Sequence, residues 1–137
     1  MAELENTHAT DASATPVSEF TRTDEFATLY ANNVVLETSA WDLKLIFGQL
    51  DQSGHKARVE QHTAITIPWM QARVLSYMLQ VYLAARVMDF GPIPVPSSVM
   101  PPLPENVIVE GALRDYMQSL HRFSFPEAYP DSQTKEG

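Results

Sequence analysis

The residues best suited to chemistry lie in one strand-like stretch near the middle of the chain. Arg58, Glu60 and His62 occupy alternate positions, so an extended backbone would place all three on one face. A histidine beside a carboxylate can act as a general acid–base pair. The same alternation is typical of the solvated face of an amphipathic strand. We favour that second interpretation, with Asp42 and Lys44 of the preceding strand beside the three residues.

No other set of residues forms a recognisable site. The chain has no cysteine, which removes thiolate nucleophiles and cysteine-based zinc sites. Its histidines, at positions 8, 55, 62 and 121, lack the spacing of metal ligands, and neither a glycine-rich phosphate loop nor a GxSxG motif is present. His121, near the end of a predicted helix, suits the helix dipole better than ligation. We therefore expect a protein without catalytic activity, metal or cofactor.

The net charge of −8 is carried mainly by the chain ends. Residues 1–28 hold six acidic residues and one basic residue, and residues 124–137 hold three and one. The body between them is nearly neutral and has no basic stripe to neutralise phosphates, so no nucleic-acid partner is expected. Because no charged-then-apolar leader is found in the sequence, we expect a cytoplasmic protein.

Three strand-like runs form the first half of the body. Residues 33–38 are rich in valine, and residues 41–48 alternate apolar with polar side chains. Residues 57–67 continue the alternation, which predicts one face with Val59, Ile65 and Ile67 and another with Arg58, Glu60, His62 and Thr66. Short connections between consecutive strands favour antiparallel pairing. The sequence therefore predicts an antiparallel β-meander of three or four strands, with the fourth at an edge within residues 18–30.

One long helix is predicted from Pro68 to Phe90. Pro68 suits the first helical position, and Gly91 suits the position that follows the last helical residue. The apolar residues in between form two separate faces at helical spacing. Arg73 and Arg86 enclose only twelve uncharged residues, which are too few to span a membrane. No membrane partner is expected.

The two apolar faces of this helix have different predicted partners. The broader face, rich in methionine and valine, is expected to pack across the sheet. The other face, called the leucine face here, needs a second cover, because exposed leucines forgo about 1.5–3 kcal/mol each. Two covers are open, the chain's own shorter helix over Val109–Leu120 or the same face of a second subunit. We favour the second subunit, in a homodimer. The leucine face consists of Leu75, Leu79, Tyr82, Leu83 and Phe90.

The composition changes after the long helix. The proline-rich connection 92–105 is expected to be extended, because proline cannot donate to a sheet. Asn106 is expected to cap a shorter helix that contains Gly111. The apolar face of that helix would comprise Val109, Ala112, Leu113, Tyr116, Met117 and Leu120. The pattern leaves open whether this arm and helix pack in cis or on another subunit.

The chain is predicted to hold one folded domain between two tails. Residues 1–17 are small, polar and acidic without periodicity, and they indicate a disordered acidic arm. Residues 18–123 are expected to form a single α+β domain. Residues 124–137 indicate a flexible tail, which Phe123, Phe125 and Tyr129 could anchor.

The middle of the chain resembles a bacterial protein family. An Asn precedes a valine-rich strand, a second strand ends in Phe47-Gly48, and a third runs into Pro68. An Ala-Arg pair with spaced leucines follows, and Phe90-Gly91-x-Ile93 closes the segment. Over about residues 30–93 these features resemble the DUF3467 family, a small domain of unknown function. Ile67 departs from the pattern, since a Ser or Thr cap is expected there. The resemblance implies a compact strand-and-helix module and supplies no catalytic residue.

The prediction for the whole chain is an α+β fold with a specific kind of function. One long helix lies across the meander, and a proline-rich arm and a shorter helix follow. The expected function is that of a non-enzymatic protein-interaction or assembly module that forms a homodimer. The alternative is a small peptide- or apolar-ligand-binding protein, chaperone-like in character, in which methionines of the long helix line an adaptable groove.

Overall fold

The structure is a computed structural model that describes residues 16–103 and 110–130. The chain divides into two compact units, the first ending at Ala72 and the second beginning at Arg73. Asn106, Val109 and most of the predicted terminal arm and tail lie outside the described residues. In chain order the elements are β1 (Asn33–Thr38), β2 (Asp42–Asp51), β3 (Arg58–Pro68), α1 (Trp69–Phe90), α2 (Ala112–Ser124) and a 3-10 turn at Pro126–Ala128. The predicted α+β class is confirmed.

The three strands form one antiparallel sheet in the order β1-β2-β3. The predicted meander is therefore confirmed with three strands. Residues 16–32 contain no strand, so the edge strand considered for residues 18–30 does not form. The chain turns there instead, with the Phe26 amide donating to the Thr23 carbonyl at 3.0 Å. The Arg22 guanidinium lies 4.5 Å from the centre of the Phe26 ring.

Polar side chains close the turns of both hairpins. In the β1–β2 turn, Ser39 Oγ accepts hydrogen bonds from the amides of Trp41 and Asp42, at 3.1 and 3.0 Å. Trp41, predicted as the first residue of the second strand, lies in this turn and is 83% exposed. In the β2–β3 turn, Asp51 Oδ1 accepts from the amide and the hydroxyl of Ser53, at 2.9 and 2.6 Å. Such local side-chain bonds are why Ser and Asp favour turns.

A β-bulge interrupts β3 opposite the middle of β2. Phe47 pairs with Thr63, whereas the next residue, Gly48, pairs with Gln61. His62 is therefore the extra residue on the bulged strand. A shift of one residue moves every side chain beyond it to the other face of the sheet.

The pairing of β2 with β3 overturns two expectations. Val59, which shares odd numbering with Ile65 and Ile67, pairs with Leu50 and lies on the opposite face from those isoleucines. Lys44 and Asp42 were expected beside the charged residues of β3. They pair instead with Thr66 and Pro68, at the other end of the strand. The Arg58–Glu60 end of β3 faces Gln49 and Asp51.

One face of the sheet holds most of its apolar side chains, and we call it the apolar sheet face. On β2 these side chains are half-buried, whereas Val34 and Leu36 on β1 are 51% and 55% exposed. The central strand is better covered because it has neighbours on both sides. From the register, the apolar sheet face comprises Val34, Leu36, Leu43, Leu45, Phe47, Ile65 and Ile67.

The helix α1 begins one residue later than predicted, at Trp69. Pro68 is the last residue of β3, paired with Asp42, rather than the first helical residue. Trp69 Nε1 donates to the Ser39 carbonyl at 3.0 Å, which fixes the helix start against the β1–β2 turn. At the other end the prediction is confirmed: Gly91 has a positive φ of 83°, and its amide donates to the Val87 carbonyl at 2.8 Å.

The second unit contains α2 and the segments on either side of it. Gly111 precedes α2 with a φ of 67°, so it starts the helix rather than weakening its interior as expected. The positive φ explains why glycine stands at this position. The Gly111 carbonyl accepts a hydrogen bond from the Arg114 amide at 3.1 Å. Phe125 ends α2, and its amide donates to the His121 carbonyl at 2.8 Å.

Apolar side chains remain accessible throughout the described residues, where none is buried. This holds for the sheet in the first unit and for the helices in the second. The only buried polar residue in the described part is His121. The apolar surface that the single chain retains is the main feature to be explained by function, because large exposed apolar patches usually mark interaction sites.

Candidate interaction surface

The leucine face lies on α1 as its spacing predicted, and all five of its side chains are accessible. Leu75 is half-buried. The other four are 53% to 74% exposed, with Phe90 the most exposed. The Arg86 guanidinium lies 4.5 Å from the centre of the Phe90 ring, and such a contact adds a charged rim to an apolar surface.

The methionine-and-valine face of α1 is also accessible in the single chain. Met70, Tyr77 and Met88 are 76%, 70% and 86% exposed. No residue of α1 is buried. A 22-residue helix that is apolar on two sides and buried on neither exposes an extended apolar surface about 33 Å long.

The candidate acid–base pair does not assemble as a catalytic pair. Glu60 Oε2 lies 3.6 Å from an Arg58 guanidinium nitrogen, and both side chains are more than three-quarters exposed. His62 Nε2 lies 3.0 Å from the Tyr30 carbonyl, and Nδ1 lies 2.8 Å from Thr63 Oγ1. Because a carbonyl can only accept, Nε2 carries the proton and Nδ1 accepts from the threonine hydroxyl. Both ring nitrogens are engaged, and the ring anchors the 27–31 segment to the sheet.

A polar cavity of about 330 Å³ adjoins this cluster. Its charged lining residues carry both signs. Its lining consists of Gln49, Leu50, Asp51, Arg58, Glu60 and His62.

Asp51 gives the hairpin a pH-dependent contribution. Hydrogen bonds from the Ser53 hydroxyl and amide, and to a lesser degree Arg58, hold the pKa of Asp51 below its ordinary value of 3.8. A carboxyl whose pKa is lower in the folded state stabilises the fold above its unfolded-state pKa, and that stabilisation is lost as the pH falls through the folded-state value. Between pH 6 and pH 3, we expect wild-type protein to lose more unfolding free energy than Asp51→Asn. Urea unfolding at both pH values, followed by tryptophan fluorescence, measures the difference. An equal loss in both proteins would contradict the expectation.

His121 joins three segments of the second unit. The ring is only 9% exposed. Its Nε2 donates to the Pro101 carbonyl at 3.3 Å, and its Nδ1 accepts from the Tyr129 hydroxyl at 2.9 Å. The ring also contacts Phe125, with ring centres 5.1 Å apart. Thus α2, the proline-rich connection and the segment after α2 meet at one histidine. Sequence reasoning assigned His121 only a dipole role, and no local pattern indicates a bond to a residue twenty positions away.

Replacing His121 should loosen the second unit. We expect His121→Phe to cost about 1–2 kcal/mol, because it keeps the ring but loses two hydrogen bonds. His121→Ala should cost about 2–4 kcal/mol, since it also removes the buried ring. Urea unfolding and the rate of proteolysis within residues 92–103 and 125–130 report the change. His55→Phe, in the exposed β2–β3 turn, is the matched control and should behave like wild type. Equal stability of His121→Ala and wild type would refute the assigned role.

A second, more apolar cavity lies where the chain before β1 crosses the sheet. It measures about 360 Å³. Phe47 and Ile65 of the apolar sheet face form its floor, and Leu29 forms part of its wall. The complete lining is Ala27, Leu29, Ala31, Phe47, His62, Thr63 and Ile65.

Within residues 16–103 and 110–130, no three His, Cys, Asp or Glu side chains are grouped so that they could hold a metal ion. None of the helices in that part of the chain is long and apolar enough to cross a membrane. Comparison with protein-family models, curated proteins and solved structures found no match.

Proposed function

We propose that this protein is a non-enzymatic assembly module whose folded unit is a homodimer. The observation that carries the proposal is the lack of any buried apolar side chain in the described residues, although 45% of the chain is hydrophobic. A fold of this size normally removes most such side chains from water. A second copy supplies the missing cover, and the leucine face of α1 is the surface we assign to it.

The expected energy of that contact is modest. Burying the exposed fractions of five such side chains in each of two copies gains on the order of 10 kcal/mol. Association costs about 4–15 kcal/mol in translational and rotational freedom. The leucine face alone therefore supports a weak dimer. A stable dimer needs additional contact elsewhere on the chain.

Analytical ultracentrifugation of the full chain tests the proposal. Between about 1 and 100 µM, where weak protein dimers dissociate and form, the sedimentation coefficient should rise towards that of a dimer. Circular dichroism should report helix and strand throughout. A monomer of constant mass at every concentration would overturn the proposal.

The cavity beneath residues 27–31 favours a second function, the binding of a peptide or small apolar ligand. Its floor and wall are apolar, and a few polar groups at its margin, His62 and Thr63, fit a ligand site. The two functions differ in what the assembled protein leaves exposed. A dye that fluoresces on apolar surfaces should bind the assembled protein strongly if it is a groove binder. Weak dye binding at the concentration of full assembly supports the closed module.

A further inference from the structure

The strand β1 forms one edge of the sheet and is accessible along its length. Val34, Val35 and Leu36 are 51%, 42% and 55% exposed. The register with β2 shows which backbone groups are free. The Ser39 amide donates to the Asp42 carbonyl at 3.0 Å, next to the strand end. Because backbone groups alternate between the two sides of a strand, odd-numbered residues of β1 face β2.

A second bond fixes the same alternation from the other end of β1. The Leu50 amide, an even-numbered position of β2, donates to Asn32 Oδ1 at 2.6 Å and so points towards β1. The amides and carbonyls of Val34 and Leu36 therefore point away from β2. Within the described residues, the backbone amides and carbonyls of Val34 and Leu36 make no hydrogen bond to backbone groups beyond the sheet.

The two edges of the sheet differ in how they are protected. The β3 edge has the bulge at His62, the exposed Arg58–Glu60 pair and a terminal Pro68. Charges, prolines and bulges are the features that keep natural sheet edges from pairing with other chains. The edge strand β1 has no proline, bulge or lysine. Its one charged side chain, Glu37, is bonded to Lys44 of β2, with Nζ 3.3 Å from Oε2.

We propose that β1 pairs antiparallel with β1 of a second copy, so that two three-stranded sheets join into one of six strands. The inference rests on the homodimer proposed above and names the additional contact that a stable dimer needs. The register is centred on Val35. It places Val34 opposite Leu36 of the second copy, and Val35 opposite Val35 of the second copy. Each Val34–Leu36 pair exchanges two hydrogen bonds, giving four across the junction.

The chemistry of β1 favours a second copy over an unrelated strand. The register pairs apolar with apolar side chains at all three central positions and avoids opposing Glu37 with itself. It places Asn33 opposite Glu37 of the second copy, beside that copy's Lys44. A two-fold axis normal to the sheet also keeps both apolar sheet faces on the same side.

Hydrogen exchange of the wild-type protein tests the junction directly. In an isolated chain only the odd-numbered amides of β1 are bonded, so Val35 and Glu37 are protected and Val34 and Leu36 exchange quickly. In the proposed assembly the amides of Val34 and Leu36 should exchange at least 100-fold more slowly, and dilution below the dissociation constant should abolish their protection. Fast exchange of both amides in assembled protein would overturn the inference.

Two substitutions at Val34 provide an independent test. Val34→Pro removes an outward N–H while leaving the β1–β2 ladder intact, a position at which an edge strand tolerates proline. Val34→Ala is the matched control, because it shortens the side chain and keeps the N–H. We expect Val34→Pro to remain folded and to associate at least 100-fold more weakly than Val34→Ala, by sedimentation. Equal association of the two folded variants would refute the junction.

Failure of this inference and failure of the proposed function give different results. A wild-type protein that stays monomeric at every concentration refutes the homodimer and the junction together. A wild-type dimer that Leu79→Glu dissociates, but whose Val34 and Leu36 amides exchange quickly, retains the homodimer and refutes only the junction.

Discussion

Gly48→Val should partly unfold the sheet of the first unit. A Cβ at Gly48 would lie 2.8 Å from Val59 Cγ1, 2.9 Å from the Glu60 carbonyl oxygen and 3.2 Å from Gln61 Cα. Two of these atoms belong to the backbone of β3, so no side-chain rotation relieves the overlap. The bulge would have to shift or the strands separate. Overpacking of this kind costs about 1–3 kcal/mol for a single added methyl group and more for a valine.

A series at this position and one matched position measures the effect. We expect Gly48→Ala to lower the free energy of unfolding by about 2–3 kcal/mol, with Gly48→Val lower still and partly unfolded. Gly54→Ala, in the β2–β3 turn, is the control. Its added Cβ would meet only the Lys56 carbonyl, at 3.8 Å, and Gly54 does not have a positive φ. Urea unfolding monitored by tryptophan fluorescence compares the variants. A Gly48→Ala protein as stable as Gly54→Ala would show that the sheet yields easily at this point.

The strands could be predicted from the sequence, but the bulge could not. The alternation within β2 and the short turns specify an antiparallel meander, and the structure confirms it. The bulge adds one residue, His62, to β3. The alternation of apolar residues in the sequence does not reveal it, because Val59, Ile65 and Ile67 all stand at odd-numbered positions. Only the pairing with Gly48, a property of two strands together, shows that Val59 has changed faces.

The helix ends likewise separate features that neighbouring residues predict from features that depend on distant parts of the chain. Gly91 ends α1 as predicted, because a C′ glycine satisfies the helix through its own backbone conformation. Local signals place Pro68 in the helix, yet pairing with Asp42 keeps it in β3. Gly111 was placed inside the second helix because the pattern of apolar residues continued across it. Its positive φ starts the helix there instead.

The leucine face and the β1 edge also differ in how far local sequence predicts them. The leucine face could be predicted because residues four apart lie on one side of any α-helix, and its accessibility in the single chain agrees with the need for a cover. The β1 edge was not recognised, since a strand's place in the sheet depends on which strands pair. The Asn32–Leu50 bond, which fixes the outward groups of β1, joins residues eighteen positions apart.

Leu79→Glu should convert the proposed dimer into a folded monomer. Leu79 lies in the middle of the leucine face and is 54% exposed in the single chain. In a two-fold contact the substitution removes two leucines and places two carboxylates in the same apolar interface. Burial of an uncompensated charge costs several kcal/mol, so we expect the dissociation constant to rise on the order of 1000-fold. The fold of the isolated chain should survive, because the new carboxylate remains in water there.

Gln80→Glu is the matched control for this prediction. It adds the same charge one residue further along α1, outside the leucine face, at the side chain whose Nε2 donates to Ser76 Oγ at 3.4 Å. Sedimentation should show Gln80→Glu as a dimer and Leu79→Glu as a monomer at the same concentration, with equal helix content by circular dichroism. If Leu79→Glu loses its helix as well, the leucine face stabilises the single chain rather than the dimer. If it stays dimeric, the two copies meet on another surface, and the β1 edge becomes the contact to be tested alone.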